Sequence, residues 1–338
     1  GPAAGSAVPD ENGELVGFDP ANYSLGFGKI NGHRVVVGGE DFTVRGGSPS
    51  PAGLRKSVYT EELALQYKLP LVRLHEGAGG SVGGTGGKGE SLPGPVFAAP
   101  RFKSVAECMA TIPVATAALG AVAGLPAARL VAAHFSVMSK PTAQIMTAGP
   151  AVVERAMGEK TTKDELCGWK VHTKNGTVDN AGEDEADSLA QIRRFLSYLP
   201  PNVDTLAPVN ACSDPVDRAE EPLLGIVPRE RRRAFDMRRI LKLVLDADSF
   251  FEMGAGYGRS QIVGLARLNG QPIGVWANNC KFLAGSMTAD GAQKARRFME
   301  PVSYTHLTLP TTGSWWLCRW GGGEEYRGGG GGGGGGGG

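Results

Sequence analysis

The sequence contains no apolar run that approaches the ~20 residues a helix needs to cross a bilayer. A helical membrane span is thereby excluded. Charge of one sign is also missing. The 35 basic and 34 acidic side chains leave a formal charge of +1, so no global field favours nucleic acid or a membrane surface. Cysteine is scarce. The five (Cys108, Cys167, Cys212, Cys280 and Cys318) are far apart and odd in number, with no C-x-x-C pair and no His/Cys metal spacing. That pattern points to a reducing compartment without disulfides and offers no metal site. Aromatic residues make up only 7%, and Trp315, Trp316 and Trp320 fall together near the end.

That final segment differs in character. From Val302, VSYTHLTLPT resembles a translated sequencing adapter, and Gly328–Gly338 is unbroken glycine. Residues 301–338 are therefore expected to be disordered and outside the fold, interrupting a helix that starts near Asp290. A natural glycine-rich linker is the alternative. At the other end no signal peptide is visible, and Gly1–Asp10 reads like the interior of a longer protein. The length of 338 residues allows about two domains.

What is present is a repeat. Gly26–Lys56 and Gly264–Lys294 align without a gap at an offset of 238. Seven positions are identical: Gly26/Gly264, Asn31/Asn269, Gly32/Gly270, Val37/Val275, Ser48/Ser286, Gly53/Gly291 and Lys56/Lys294. Asn-Gly between apolar runs is a strong hairpin signal, because a type I′ turn needs positive φ at both central residues. Phe27–Ile30 should pair with Arg34–Gly38, and Ile262–Leu268 with Pro272–Ala277. A small-residue loop and then a helix follow each hairpin. Similarity at a fixed offset indicates a repeated structural unit.

Along the rest of the chain, Gly1–Tyr23 is polar without a clear period. Pro51–Gln66 reads as a helix and Leu69–Leu74 as a buried strand. His75–Glu90 holds eight glycines and is a loop, either plain or ligand-binding. His75 is a candidate base or a strand-end structural histidine. Ile112–Leu119 is another buried strand, ending in Gly120–Pro126, with Pro126 at the first position of a helix through His134. Such a strand–turn–helix exposes backbone N–H groups on a positive dipole end and can hold an oxyanion, or it is an ordinary βα turn. Phe135–Met138 and Ala143–Met146 read as strands and Pro150–Met157 as a helix. Gly158–Lys170 is turn-like, and Glu183–Leu199 is an amphipathic helix. Pro200–Pro222 is the expected domain boundary. Arg231–Arg233 could meet a phosphate or lie on a solvated or subunit-facing helix surface. Arg238–Val244 continues as a helix, and Ser249–Glu252 leads to the second hairpin.

Several long segments in order carry a resemblance: IPVATAALGAVAGLPAARLVAAHFSVMSK, MTAGPAVVERAMGEKTTKDELCGW, AQIRRFLSYLPPN, DFTVRGGS (Asp41–Ser48), RRRAFDMR (Arg231–Arg238) and GVWANN (Gly274–Asn279). They resemble the carboxyltransferase β subunits of biotin-dependent acyl-CoA carboxylases, over about Tyr23–Glu300. The resemblance implies an α/β, crotonase-like ββα spiral. Residues 23–200 would be a complete N-domain on the acyl-CoA side, 201–222 a linker and 223–300 the start of a duplicated C-domain. It implies transfer of a carboxyl group from carboxybiotin to the α-carbon of an acyl-CoA through an enolate, with no metal in this subunit. It also implies a biotin carboxylase and biotin-carrier partner, a homo-oligomer (commonly a hexamer), and neither nucleic acid nor membrane as partner. The compartment would be the mitochondrial matrix or the cytoplasm.

The family usually carries Ala-Gly-Gly-Ala at the turn after the IP… strand. Here Gly124-Leu125-Pro126-Ala127 stands there, and Pro126 cannot donate. Gly124 and Leu125 are the oxyanion donors the resemblance suggests. Gly79, Gly80 and Ser81, with Gly124, are the acyl-CoA contacts. Gly124 lies 93 residues after Asn31, so the matching point of the second copy falls near position 362, and this chain alone is expected to be inactive. Two alternatives stand beside this reading. One is the carboxyltransferase of a biotin-dependent decarboxylase. The other, motivated by Leu125-Pro126, is a non-catalytic acyl-CoA binder. A hydratase-type crotonase fits poorly, since Gly120–Phe135 has no acidic residue.

Overall fold

The structure is a computed structural model that describes residues 5–48, 50–77, 79, 102–215, 217–230 and 232–304. The N-terminal segment, polar and without a period in sequence, forms a hairpin of β1 (Gly5–Pro9) and β2 (Leu15–Pro20). Asp10 closes its turn by accepting from the backbone N–H groups of Asn12 and Glu14, both at 2.8 Å.

The first repeat follows. Strands β3 (Tyr23–Ile30) and β4 (His33–Glu40) pair antiparallel around Asn31 (φ 52°) and Gly32 (φ 81°). A short 3₁₀ turn, Arg45–Gly47, leads to α1 (Pro51–Tyr67). Ser50 caps α1 by accepting from the Gly53 N–H at 3.0 Å, and Pro51 presets the first turn. Next come β5 (Leu71–Gly77), α2 (Lys103–Thr111), β6 (Val114–Ala123), α3 (Leu125–Val131), β7 (Phe135–Ser139), β8 (Gln144–Met146) and α4 (Pro150–Met157). Then α5 (Lys163–Cys167), α6 (Trp169–Lys174), β9 (Asn180–Gly182), α7 (Glu185–Ser197), α8 (Leu223–Ile226) and α9 (Met237–Val244) precede β10 (Phe251–Met253). The second repeat is β11 (Gln261–Leu268), β12 (Gln271–Asn278), a 3₁₀ turn at Leu283–Gly285 and α10 (Ala289–Tyr304).

Strands β3-β4-β5-β6-β7-β9 form one sheet, with β8 paired to β6, while β10-β11-β12 form a second. Beyond the β3–β4 hairpin every pairing of the large sheet is parallel. Parallel sheets are covered on both faces, which explains the unbroken buried runs of Val114–Ala118 and Phe135–Ser139. On one face Val35, Val72, Ala117 and Phe135 pack against Ile192 and Phe195 of α7, together with Phe251 and Val263. On the other, Val36, Leu71 and Val114 meet Leu63, Ala64 and Cys108 of α1 and α2. Each fully buried side chain of this kind contributes ~1.5–3 kcal/mol.

Four expectations shift. Helix α10 continues to Tyr304, so residues 301–304, expected to lie outside the fold, belong to it. Strand β6 continues to Ala123, because Ala121–Ala123 pair with Gln144–Met146, so the turn begins at Gly124 rather than Gly120. Pro126 is consequently the second helical residue, where its missing N–H is still harmless, and α3 ends at Val131 instead of His134. The stretch expected to be turn-like holds α5 and the start of α6. Thr162 and Glu165 form a reciprocal capping box at the start of α5.

Candidate functional site

The turn between β6 and α3 is the centre of the site. Gly124 sits at φ 62°, ψ −125°, a conformation that essentially only glycine adopts. Its N–H points at the Met146 carbonyl at 3.4 Å, a long and weak contact. The Leu125 N–H, first in the helix, has no acceptor among the described residues. Of the two expected donors, one is thus partly engaged and the other available.

The loop after β5 packs onto this turn. A Cβ on Gly79 (φ 73°) would lie 2.9 Å from the Ala123 carbonyl oxygen and 3.2 Å from the Gly124 nitrogen. Glycine is required there by close backbone approach as well as by φ. A Cβ on Gly77 would lie 3.1 Å from Glu40 Cγ and 3.2 Å from Pro126 Cγ. Gly79, Gly124 and Leu125, far apart in sequence, therefore meet. Gly80 and Ser81 lie outside the described residues, as does Arg231; Arg232 and Arg233 are exposed.

Beneath the turn is a buried ionic cluster that the sequence did not reveal. Glu61 Oε1 accepts from Arg73 Nη2 at 2.8 Å and from Arg129 Nε at 2.9 Å, while Ser104 donates to its other oxygen. Two guanidinium groups share one carboxylate close to α3, and Arg129 Nη2 has no partner among the described residues. Beside them His75, fully buried, places Nδ1 3.0 Å from Glu40 Oε2. Burial pushes the Glu40 carboxyl up, but His75 and the backbone N–H groups of Glu40 and Glu76 outweigh it and hold it below its usual range. His75 thus has an acidic partner 35 residues earlier, a pairing with no local sequence signal. Burial, with further help from Glu40, raises the neighbouring Tyr23 phenol well above its ordinary value.

One cavity borders this centre and another lies among other residues. A groove of about 440 Å³ runs along the sheet face past Gly26, Gly28, Val37, Leu74, Glu76 and Leu119. Another, of about 380 Å³, lies among Asp179, Tyr257, Lys294 and Arg297, with no expected site residue in it. Among the described residues Cys212, Asp214 and Asp246 could in principle face a cation. Protein partners already account for the two acids: Asp214 pairs with Arg218, and Asp246 accepts from the N–H groups of Asn269 and Gly270.

Comparison with known proteins gives a consistent result. Residues 21–312 match the carboxyl transferase domain. The chain is 34% identical over 277 residues to the mitochondrial propionyl-CoA carboxylase beta chain of Homo sapiens, covering 81% of this chain and 50% of that protein. It is 32% identical over 283 residues to a biotin-dependent acetyl-/propionyl-coenzyme A carboxylase beta5 subunit of Mycobacterium tuberculosis, again covering 81% and 50%. The chain therefore spans about half the length of the curated relatives it matches. Among solved structures, transcarboxylase 12S with methylmalonyl-coenzyme A and methylmalonic acid bound superposes with a TM-score of 0.77 at 25% identity, over 86% of this chain and 56% of that one. A single-chain, multi-domain long-chain acyl-CoA carboxylase gives 0.69 at 24% identity, over 82% and 27%. The α/β, crotonase-like fold expected from the sequence is the one these structures share.

Proposed function

Because this chain belongs to the carboxyl transferase domain family, we propose that it forms the acyl-CoA side of a biotin-dependent carboxyltransferase and holds the substrate thioester at the Gly79–Gly124–Leu125 junction. One observation carries the reading. The Gly79 backbone meets the β6–α3 turn there, and the first N–H of α3 has no acceptor among the described residues. When the α-carbon of a bound acyl-CoA gives up its proton, which the biotin left after release of carbon dioxide would accept, negative charge moves onto the thioester oxygen. An N–H aimed at that oxygen strengthens as the charge grows, and one such donor can lower the barrier by ~3–4 kcal/mol. The enolate carbon then attacks carbon dioxide. Carboxybiotin, carried on a partner subunit, would supply that carbon dioxide. The strand–turn–helix that would receive it in the second repeat has no counterpart among the described residues. The working enzyme would be an oligomer of carboxyltransferase chains with a biotin-bearing partner, in the mitochondrial matrix or the cytoplasm.

A second reading, acyl-CoA binding without chemistry, is favoured by Pro126, which removes a donor, and by the Met146 contact of Gly124. Titration calorimetry with propionyl-CoA, followed by exchange of its α-proton in deuterium oxide, separates the two. Binding with exchange supports enolate formation; binding without exchange, in a protein that also carries the second strand–turn–helix, supports the passive binder. Gly124→Ala forces a side chain into a glycine-only conformation and should reduce exchange by about 100-fold, as expected for a misplacement near 1 Å.

A further inference from the structure

We propose that Glu40 and His75 are positioning residues for the acyl-thioester site, their buried contact holding the Glu76–Gly79 loop against the Gly124 turn. The inference rests on the oxyanion reading and adds the device that brings its two turns together. Glu40 ends β4 and His75 lies near the end of the adjacent parallel strand β5. The Glu40 carboxylate takes His75 Nδ1 at 3.0 Å, one residue before the loop begins at Glu76. Its Cγ lies against Gly77, which in turn abuts Pro126 in the first turn of α3. Two residues on, Gly79 abuts Ala123 and Gly124. The loop is thus gripped between Glu40 and the turn it must face.

His75 does not behave like a histidine kept for stability alone. His134 shows that case: Nδ1 accepts from the Val114 N–H at 3.0 Å, and Nε2 lies 3.0 Å from the Met109 carbonyl. Both of its nitrogens are satisfied. His75 Nε2 is buried without a partner among the described residues, which is a cost. An apolar residue would fill that space without leaving a nitrogen unpaired, but it would not hold Glu40.

The test uses the chain itself and propionyl-CoA labelled with carbon-13 at the carbonyl. The carbonyl resonance reports hydrogen bonding to the thioester oxygen directly, and calorimetry reports binding separately. Wild type should bind and shift the resonance. Glu40→Gln, whose amide oxygen can still accept from His75, should keep the shift. Glu40→Ala should bind but lose most of it. If Glu40→Ala does not fold, His75 gives the same contrast: His75→Asn, which retains a donor, keeps the shift and His75→Leu loses it. A full shift in Glu40→Ala or His75→Leu overturns the inference, and so does a loss in Glu40→Gln equal to that in Glu40→Ala. A wild-type resonance that stays at its free position under saturation overturns the functional reading instead.

Discussion

The two repeats share a local structure and differ in what surrounds it. In both, the hairpin register coincides at the offset of 238: Tyr23 faces Glu40 as Gln261 faces Asn278. Three consecutive left-handed residues follow in each, Arg45-Gly46-Gly47 and Leu283-Ala284-Gly285. Ser50 and Thr288 cap the two helices through the N–H groups of Gly53 and Gly291, both at 3.0 Å. The surroundings then diverge. Strand β4 gains β5 as a parallel neighbour, and Val35 and Val36 become core. Strand β12 pairs only with β11 among the described residues, and Trp276 remains partly exposed. Turns, caps and hairpins follow from short sequence. Strand burial depends on neighbours supplied from elsewhere.

The comparison can be broken most severely where a buried charge of the first copy has an uncharged counterpart in the second. Glu61 on α1 corresponds to Met299 on α10. Glu61→Leu leaves Arg73 and Arg129 buried without a counter-charge and should cost about 3–5 kcal/mol in urea denaturation. Met299→Leu should cost less than about 1.5 kcal/mol. The next effect lies on the second copy. Lys294 is buried, its ammonium donates to the Gln261 carbonyl at 2.8 Å, and burial pushes its pKa down to about 8 from 10.5. The unfolded chain holds that proton to higher pH, so stability should rise between pH 8 and 10.5, by at most ~3 kcal/mol. Lys294→Met should flatten this segment of the stability–pH curve.

Smaller substitutions sharpen the likeness. A Cβ on Gly53 would meet Asn22 Oδ1 at 2.4 Å, whereas on Gly291 it would meet Gln261 Cγ and Ser260 Oγ at 3.0 Å. Gly53→Ala should cost ~1–3 kcal/mol and Gly291→Ala distinctly less, measured as separate denaturation midpoints. The smallest expected change is at the 3₁₀ turns. Ala284 occupies φ 51°, ψ 24° where the first copy has Gly46 at φ 61°, ψ 30°. Ala284→Gly should relieve left-handed strain for a gain below ~1 kcal/mol, and Gly46→Ala should lose a similar amount.

Local codes made much of the fold legible. Asn-Gly fixed both hairpins, Pro51 and Pro150 marked helix starts, and the apolar period of 185–197 marked α7. The misreadings have equally local causes. Thr162-x-x-Glu165 is a capping-box signal inside a polar stretch that reads as turn. Ala121–Ala123 look like turn residues, yet they extend β6 because β8 arrives beside them. The candidate site was legible at its glycines, Gly79 and Gly124, whose conformations constrain residue type. Its charged support was not. Glu40 with His75, and Glu61 with Arg73 and Arg129, are joined by adjacent strands and packed helices, and no spacing in one sequence encodes such pairings.

The tip of the first hairpin carries one last consequence. Asn31 Nδ2 donates to the Arg193 carbonyl at 3.1 Å, across 162 positions of chain, and α7 covers the sheet face that includes Val35. On a ribosome, that face stays uncovered until α7 emerges. At ~5–20 residues per second, the interval is on the order of ten seconds or more. Contacts spanning such distances also slow folding. The hairpin, which is the most locally specified element of the molecule, is thus finished among the last. Its apolar side is the surface a chaperone would meet during synthesis.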